Sequence, residues 1–464
     1  MTLGAKTIER VSEVFLRADL GDPRRSRRAA GLAESLARAP DQSLPQVWST
    51  PAELEAGYRF LANSHSNFTG LMGAVQHATR RRALEAQRVL VIHDTTDVTC
   101  PSAEGEDVGF LPTGKAGFFV HHALCVSANG SGPPLGMLWS HVWGREQVTR
   151  GRGNHLSAKM MANLKDRESD RWLEGVSEAQ LWVGGCAEVV HVLDSEADSY
   201  RVFAHAKQLD ADFVVRLRHD RRVEDSVVSE CLANAATKLE LLVPISKRNS
   251  KRMPSYTYQG RAARKANLQV RAVSLEVSAP RHMPRGTEPL ELQVVQVLEE
   301  HPPAGEEPIA WVLATSLPIR TRADVERVVD IYRKRWLIEE LHKALKTGCM
   351  LEKRQLESFE AITSLLALSY PTACELLHLR SRARQKGLPA SEVLRKSQLD
   401  CLRAHPKARP LSPDPSAEEA LGVIAGLGGH IKNNGPPGWQ TIGAGYKELL
   451  GFERGWLAAL GQDL

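Results

Sequence analysis

The sequence lacks the cysteine pattern of a structural metal site. Its seven cysteines are scattered over 464 residues and form no CxxC pair, so we expect neither a zinc site nor a disulfide framework. It also lacks a run of about 18 apolar residues and a signal-peptide core, which are features of membrane and secreted proteins. These absences predict a protein of the reducing cytoplasm that has no membrane partner.

The net charge of the chain is also small. The chain has 60 Lys and Arg residues against 55 Asp and Glu residues, which gives a net charge of +5. That excess alone does not predict nucleic-acid binding, so the distribution of the basic residues matters more. The hydrophobic content of 42% is ordinary for globular proteins. At about 150 residues per domain, the length predicts two to four domains.

The stretch from Tyr332 to Lys346 contains no helix breaker and predicts the end of one continuous helix over 322–346. At 100° per residue, the polar side chains of this stretch fall within an arc of about 80°. They are Tyr332, Arg335, Glu339, Lys343 and Lys346. The exposed face of an amphipathic helix explains this pattern. A carboxylate framed by basic groups also suits a metal ion that acts on a phosphodiester.

Two further acids lie toward the ends of apolar runs that predict β-strands. Asp94 follows the run that starts at residue 88, and Asp194 ends the run that starts at residue 189. Each acid alone fits the cap of the turn or helix that follows. Together with Glu339, the two acids can instead converge at one rim of a sheet and bind metal ions. Asp97 and Asp198 are the alternative acids in the same segments.

Basic residues cluster near the N-terminus, where residues 1 to about 70 are predicted to be helical. Arg24, Arg25 and Arg28 can share one side of a helix that begins after a turn. A solvated charged face explains this cluster. A helix that docks on DNA, with arginines on phosphates or guanine edges, explains it equally well.

Two later segments differ in composition from the rest of the chain. Between about 230 and 306, strand-like runs flank a basic stretch that includes Arg248 and Arg264. This stretch predicts a β insertion that contacts the DNA backbone, or a solvated hairpin. The last 50 residues or so predict one or two helices with many aromatic residues, which form either docked core or a self-association surface.

Taken together, these segments resemble the DDE transposases of the insertion-sequence-four family along nearly the whole chain. The shared motifs are Gly-Asp-Pro-Arg-Arg at 21–25, Tyr-Arg-Phe at 58–60, Asp-Thr-Thr at 94–96, Phe-Val-Val-Arg at 213–216, and Tyr-x2-Arg-x3-Glu-x6-Lys at 332–346. The resemblance implies an α/β fold with an RNase H-like catalytic core and a β-strand insertion. The implied domains are an N-terminal helical DNA-binding domain, the catalytic domain and a C-terminal helical dimerisation domain, over 1–70, 71–370 and 371–464.

The resemblance also implies roles for individual residues. Asp94, Asp194 and Glu339 match the catalytic triad, which holds two Mg²⁺ ions per active site, with Mn²⁺ as a substitute. The residues that match DNA contacts are Arg24, Arg25, Arg28, Arg59, Arg216, Trp311, Tyr332, Arg335, Lys343 and Lys346. Trp311 matches an aromatic that stacks on a flipped base, although its position alone also fits a buried strand residue. Ser195 replaces the arginine that the family usually has after the second Asp.

The implied activity is cut-and-paste transposition. Such an enzyme binds the inverted repeats at transposon ends, cleaves through a hairpin intermediate and joins the 3′ ends to target DNA. It works as a homodimer in a paired-end complex, in the bacterial cytoplasm at the nucleoid. Two other hypotheses stay open at this point: an RNase H-like nuclease that cuts without joining, and a protein that binds transposon ends without chemistry.

Overall fold

A computed structural model describes most of the chain. The described residues are 11–130, 132–146, 168–185, 187–245, 247–252, 257–281, 283–284, 286–431 and 436–461. The first half of a charged helix predicted over 157–179 lies outside these ranges. Within them, no helix combines the length and the apolar character needed to cross a lipid bilayer.

The architecture is mixed α/β. The described helices are α1 (Val11–Leu16), α2 (Pro23–Arg38), α3 (Leu44–Val47), α4 (Pro51–Leu61), α5 (Phe68–Ala86), α6 (Gly105–Val108), α7 (Arg171–Val183), α8 (Tyr200–Gln208), α9 (Val228–Ala233), α10 (Arg322–Arg333), α11 (Trp336–Lys343), α12 (Phe359–Ala383), α13 (Lys396–Ala404), α14 (Ala417–Leu427) and α15 (Trp439–Ala459). The described strands are β1 (Arg88–Thr99), β2 (Gly117–Ser127), β3 (Pro134–Trp143), β4 (Glu188–Leu193), β5 (Asp212–Arg216), β6 (Arg222–Val223), β7 (Ser226–Val227), β8 (Thr237–Ile245), β9 (Lys251–Arg252), β10 (Thr257–Tyr258), β11 (Arg264–Val277), β12 (Leu290–Leu298) and β13 (Ala310–Thr315).

Contacts between Cα atoms divide the chain into two compact units. The first unit comprises Met1–Arg167, Leu181–Glu188 and Trp336–Leu464. The second unit comprises Glu168–Gln180 and Val189–Arg335. The division into three domains that the sequence suggests stays a prediction, because compactness alone does not assign separate roles to parts of one unit.

The first unit is built around helix α12 and an antiparallel sheet. Strand β2 pairs with β1 on one side and with β3 on the other. Helix α12 is buried on most of its surface and packs against α2, α5 and β3. A helix that is apolar on nearly all sides belongs in the interior of a domain. The sequence therefore places α12 in the core, where it covers one face of the sheet.

The second unit is built around a larger sheet. Strands β4 and β5 run parallel, and β13, β12 and β11 continue the sheet with antiparallel neighbours. Strands β8, β11 and β12 fall in the segment where a β insertion is predicted, and β8 pairs with β11. The core of this unit contains large buried side chains from strands and helices, among them Trp172, Phe203, Phe213, Leu232 and Leu292.

The prediction of one continuous helix over 322–346 is wrong. Helix α10 ends at Arg333, and α11 begins at Trp336. The backbone N–H groups of Lys334 and Arg335 bond to carbonyls three residues back, at 3.1 and 3.0 Å, which closes a tight final turn. Because this stretch contains no helix breaker, tertiary packing and not local propensity makes the break.

Candidate active site

Asp94 lies on strand β1 in a row of polar residues that crosses the sheet of the first unit. In the strand register Asp94 is opposite His122 on β2, and His122 is opposite Ser140 on β3. Paired residues on antiparallel strands point to the same face, with Cβ atoms about 4.5–5.5 Å apart. The half-buried Asp94 carboxylate accepts a hydrogen bond of 2.8 Å from the N–H of Thr95. The register therefore puts Asp94 and His122 side by side.

Glu339 reaches the same region from helix α11, which packs against β1. One turn further along this helix, Nε2 of His342 lies 3.1 Å from Nδ1 of His122. Residues three apart share one face of an α-helix, so the face that carries Glu339 is the one that meets the polar row. The structure thus brings Asp94 and Glu339 to the same side of the sheet in the first unit.

His122 is the centre of a buried hydrogen-bond chain. Its Nε2 atom lies 3.0 Å from the hydroxyl of Tyr370 on α12, and that hydroxyl donates to Ser140 over 3.0 Å. Burial, with a smaller contribution from Lys346, lowers the pKa of His122 to about 3, so the imidazole is neutral at physiological pH. Sequence reasoning missed His122 and Tyr370, because their roles depend on a strand register that the sequence does not reveal.

The neighbouring Glu340 has a different environment from Glu339. Its buried carboxylate pairs with Lys343 at 3.2 Å, Arg380 at 3.3 Å and Arg384 at 3.5 Å. Burial acts to raise the pKa of Glu340, but Arg380, Lys343 and Arg384 outweigh it, and the pKa lies below its ordinary value. Glu340 therefore anchors α11 to the end of α12.

Asp194 lies in the second unit, directly after strand β4. Its carboxylate accepts a 2.7 Å hydrogen bond from the N–H of Glu196 and so caps a short 3-10 turn that begins at Ser195. In the parallel register Leu193 is level with Val215, so Asp194 and Arg216 leave adjacent strands at the same edge. The hydrogen bond from Glu196 is explained by the capping role of Asp194. The position of Asp194 also places it at the edge of the sheet where the parallel strands β4 and β5 end.

Four predicted DNA contacts gather near Asp194. The rings of Trp311 and Tyr332 meet edge to face, with centroids 5.5 Å apart. Burial raises the pKa of the Tyr332 hydroxyl, against the opposing effect of the Arg335 and Arg216 guanidinium groups, and Arg216 also hydrogen-bonds to Tyr332. The electrostatic influence of Asp194 on the same hydroxyl shows that an acid, two arginines and two aromatic rings share one neighbourhood.

The two predicted lysine contacts are held by carboxylates. Lys346 pairs with Asp97 at 3.1 Å and with Glu352 at 3.7 Å. Lys343 pairs with Glu340, and its ammonium group lies 4.8 Å from the centre of the Trp336 ring. Both ammonium groups therefore have protein partners that a DNA phosphate would have to replace.

The alternative acids also have structural partners. Asp97 pairs with Lys346, as described above. Asp198 is buried, pairs with Arg221 and accepts hydrogen bonds from the N–H groups of Arg218 at 2.7 Å and His219 at 2.8 Å. A carboxylate saturated in this way fixes a loop and has little remaining capacity for a metal ion. This supports Asp194 over Asp198 as the metal ligand.

The predicted N-terminal contacts lie on helices α2 and α4. Arg24 pairs with the helix-capping Asp22 at 3.0 Å, and Arg59 lies 3.7 Å from Glu55, in both cases with the arginine exposed. Arg28 is exposed as well. Arg25 is half-buried and donates to the carbonyl of Leu20 over 2.9 Å, so it also holds the turn before α2.

The basic β insertion is less available to DNA than its composition suggests. Arg264 pairs with Glu299 and also with Glu306, at 2.8 Å. Arg248 lies 3.4 Å from Glu307 and donates to the carbonyl of Gln259 over 3.0 Å. Acidic residues that follow β12 thus pair with Arg264 and Arg248, and the predicted contact of this insertion with the DNA backbone stays a prediction.

The donor atoms suit a hard divalent cation. Among the described residues, no cluster of three or more His, Cys, Asp or Glu side chains is already arranged to hold a metal ion. Carboxylates such as Asp94 and Glu339 nevertheless fit Mg²⁺, which keeps several water ligands and is commonly bound by one or two carboxylates together with substrate phosphates. The residues present are therefore compatible with such an ion in the presence of DNA.

Two family models match parts of the chain. Residues 10–66 match the model of a transposase DNA-binding domain, and residues 176–370 match the model of a transposase DDE domain. The second match contains Asp194, Glu339 and the cluster around Tyr332, whereas Asp94 precedes it. The mixed α/β architecture is compatible with the RNase H-like core of DDE enzymes.

These matches define first a class of enzyme, in which acidic residues direct phosphoryl transfer on DNA and which generally uses divalent metal ions. More specifically, the chain is a DNA transposase, with an N-terminal DNA-binding region and a domain that catalyses DNA cleavage and strand transfer. The prediction of a DDE transposase is confirmed at this level.

Proposed function

We propose that the chain is a cut-and-paste transposase of the insertion-sequence-four type, with Asp94, Asp194 and Glu339 as its catalytic triad. The observation that supports this most directly is the polar row of the first unit. It sets Asp94 beside His122, and His342 holds the Glu339 helix on that same histidine. Asp194 has the matching context in the second unit, beside an aromatic and arginine cluster.

The triad carboxylates would hold two Mg²⁺ ions per active site, with Mn²⁺ as a substitute. When bound, such a pair of ions activates the attacking hydroxyl and stabilises the leaving oxygen of the phosphodiester. The task of the protein is to hold the acids in position. Asp97, Asp198 and Glu340 pair with basic side chains of the protein, so they are not proposed as metal ligands.

The DNA contacts divide by chemistry. The exposed guanidinium groups of the N-terminal region, with Arg25 beside them, bind transposon-end phosphates and bases. Arg216, Tyr332 and Arg335 grip the strand near the cut, and Trp311 stacks on a base that leaves the duplex when the hairpin forms. Lys343 and Lys346 exchange their carboxylate partners for phosphates. Ser195 supplies no charge at the position where the family usually has arginine.

The C-terminal region is proposed to join two copies of the chain in a paired-end complex, as joining two ends requires two active sites. Its aromatic residues are not equivalent. Trp439, Tyr446 and Leu449 are buried, whereas Trp456 and Leu460 are 37% and 58% exposed. The exposed end of α15 is therefore the part available for a partner. We place this activity, with end binding by residues 1–70, catalysis by 71–370 and pairing by 371–464, at the bacterial nucleoid.

The test uses purified full-length protein with transposon-end DNA. Asp94→Asn and Glu339→Gln should abolish both end cleavage and the joining of precut ends to target DNA, while end binding persists. Asp225→Asn, which changes an exposed acid of the second unit, is the matched control and should act like the wild type. Cleavage without joining by the wild type would instead identify a nuclease, and normal cleavage by either variant would remove that acid from the triad.

A further inference from the structure

We propose that the buried hydrogen bond between His122 and His342 is a positioning contact that sets Glu339 relative to Asp94. His342 and His122 do not touch the reacting atoms in this scheme. They act through the placement of the two carboxylates, and the inference rests on the proposed roles of Asp94 and Glu339.

Helix α11 is short and has little backbone support of its own. It has only eight residues, the chain ends a helix just before it, and a π-helical turn over Ala344–Gly348 follows it. Helices of this length are marginal without tertiary contacts. The orientation of α11 must therefore come from side chains that fasten it to its neighbours.

Two such fastenings follow Glu339 within one turn of the helix. Glu340 pairs with Arg380 and Arg384 at the end of α12. His342 bonds to His122 on β2. Between them they fix both the rotation of α11 and its height above the sheet. His122 is also the cross-strand neighbour of Asp94. The bond between His342 and His122 therefore fixes the position of α11 relative to the strand that carries Asp94.

The hydrogen-bond chain has a direction. A neutral imidazole has one N–H donor and one acceptor nitrogen, and Tyr370 donates its own proton to Ser140. Nε2 of His122 therefore donates to Tyr370, and Nδ1 accepts from the Nε2–H of His342. All four side chains are buried, so water does not replace a lost partner. A residue at position 342 must offer a donor at the position of Nε2 for the chain to close.

The experiment compares His342→Leu with His342→Gln, whose amide N–H can occupy the place of Nε2–H. Two midpoints are measured with end DNA bound. The first is the Mn²⁺ concentration that gives half of the maximal rise in the melting temperature of the protein–DNA complex. The second is the Mg²⁺ concentration that gives half of the maximal rate of the first nick. For His342→Leu both midpoints should rise by about 10- to 100-fold, the effect typical of losing a residue that orients a metal ligand, with end-DNA affinity unchanged. His342→Gln should restore most of the loss.

Unchanged metal midpoints in His342→Leu would overturn the proposal, as would a His342→Gln protein no better than His342→Leu. If His342→Leu does not fold, Tyr370→Phe decides, because it removes only the far link. A raised Mn²⁺ midpoint in Tyr370→Phe supports the proposed role of the hydrogen-bond chain, and a wild-type midpoint refutes it. Glu339→Gln is run in parallel. Full cleavage by that variant would show that the triad assignment has failed, independently of the histidines.

Discussion

The structure predicts opposite consequences for two acids that are four residues apart. The Asp198 side chain has no exposed surface, and its partner Arg221 is only 10% exposed. Removal of one charge from a buried pair costs roughly 3–5 kcal/mol. For a unit of 150–250 residues, at roughly 2–4 °C per kcal/mol, Asp198→Asn should lower the melting midpoint of the second unit by roughly 6–20 °C. Asparagine keeps one oxygen for the backbone N–H groups but leaves the guanidinium unpaired.

Asp194→Asn should leave stability unchanged and abolish cleavage. The hydrogen bond that its carboxylate accepts from the N–H of Glu196 survives because asparagine retains an accepting oxygen, so the midpoint should stay within about 2 °C of the wild type. Cleavage of end DNA should nevertheless be lost. Differential scanning fluorimetry and a nicking assay, both at neutral pH, compare the two variants directly. A stable Asp198→Asn protein without cleavage, beside an active Asp194→Asn protein, would refute the assignment and make Asp198 the metal ligand.

Asp97→Asn should preserve cleavage and change stability by less than about 1 kcal/mol, as expected for a partly exposed pair. It should strengthen end binding in a gel shift, because Lys346 loses one of its two carboxylate partners; loss of cleavage would move the catalytic role to Asp97. Glu340→Gln should lower the melting midpoint at pH 7 and flatten its acid dependence. A carboxylate with a lowered folded-state pKa stabilises the protein at pH values above its unfolded pKa of about 4.3, and this contribution is lost as the pH falls through the folded-state pKa. Parallel curves of melting midpoint against pH for wild type and variant, from pH 3 to 7, would contradict this. Trp456→Glu should permit single-end binding but prevent a mixed-length paired complex, whereas Leu449→Glu should unfold the protein; pairing by Trp456→Glu would place the dimer contact elsewhere.

Local sequence patterns predicted the elements that carry the site. The apolar run before Asp94 and the one before Asp194 indicated strands, and both strands are present. These features depend on neighbours along the chain, and periodicity reports them well.

Features that depend on distant parts of the chain could not be predicted. The break between α10 and α11 has no breaker residue, and the pairing of His122 with Asp94 depends on strand register. The neutralisation of Arg264 requires Glu299, which is 35 positions away. The sequence left the C-terminal segment open as docked core or self-association surface, and Leu449 in it is fully buried, because helical spacing does not distinguish an internal neighbour from a second copy. In each case a tertiary contact determined the outcome.

The carboxylates that pair with the cations proposed to contact DNA have a consequence for the thermodynamics of binding. Asp22, Glu55 and Asp97 act as counterions built into the protein for Arg24, Arg59 and Lys346. When a phosphate replaces such a carboxylate, the DNA releases its condensed cation, but the freed carboxylate attracts a cation from solution. The logarithm of the affinity for DNA ordinarily falls with the logarithm of salt concentration by about 0.9 per phosphate contacted. For this protein the slope should be shallower than the number of contacts, so end recognition would lose less affinity as salt rises than a protein with unpaired cations would.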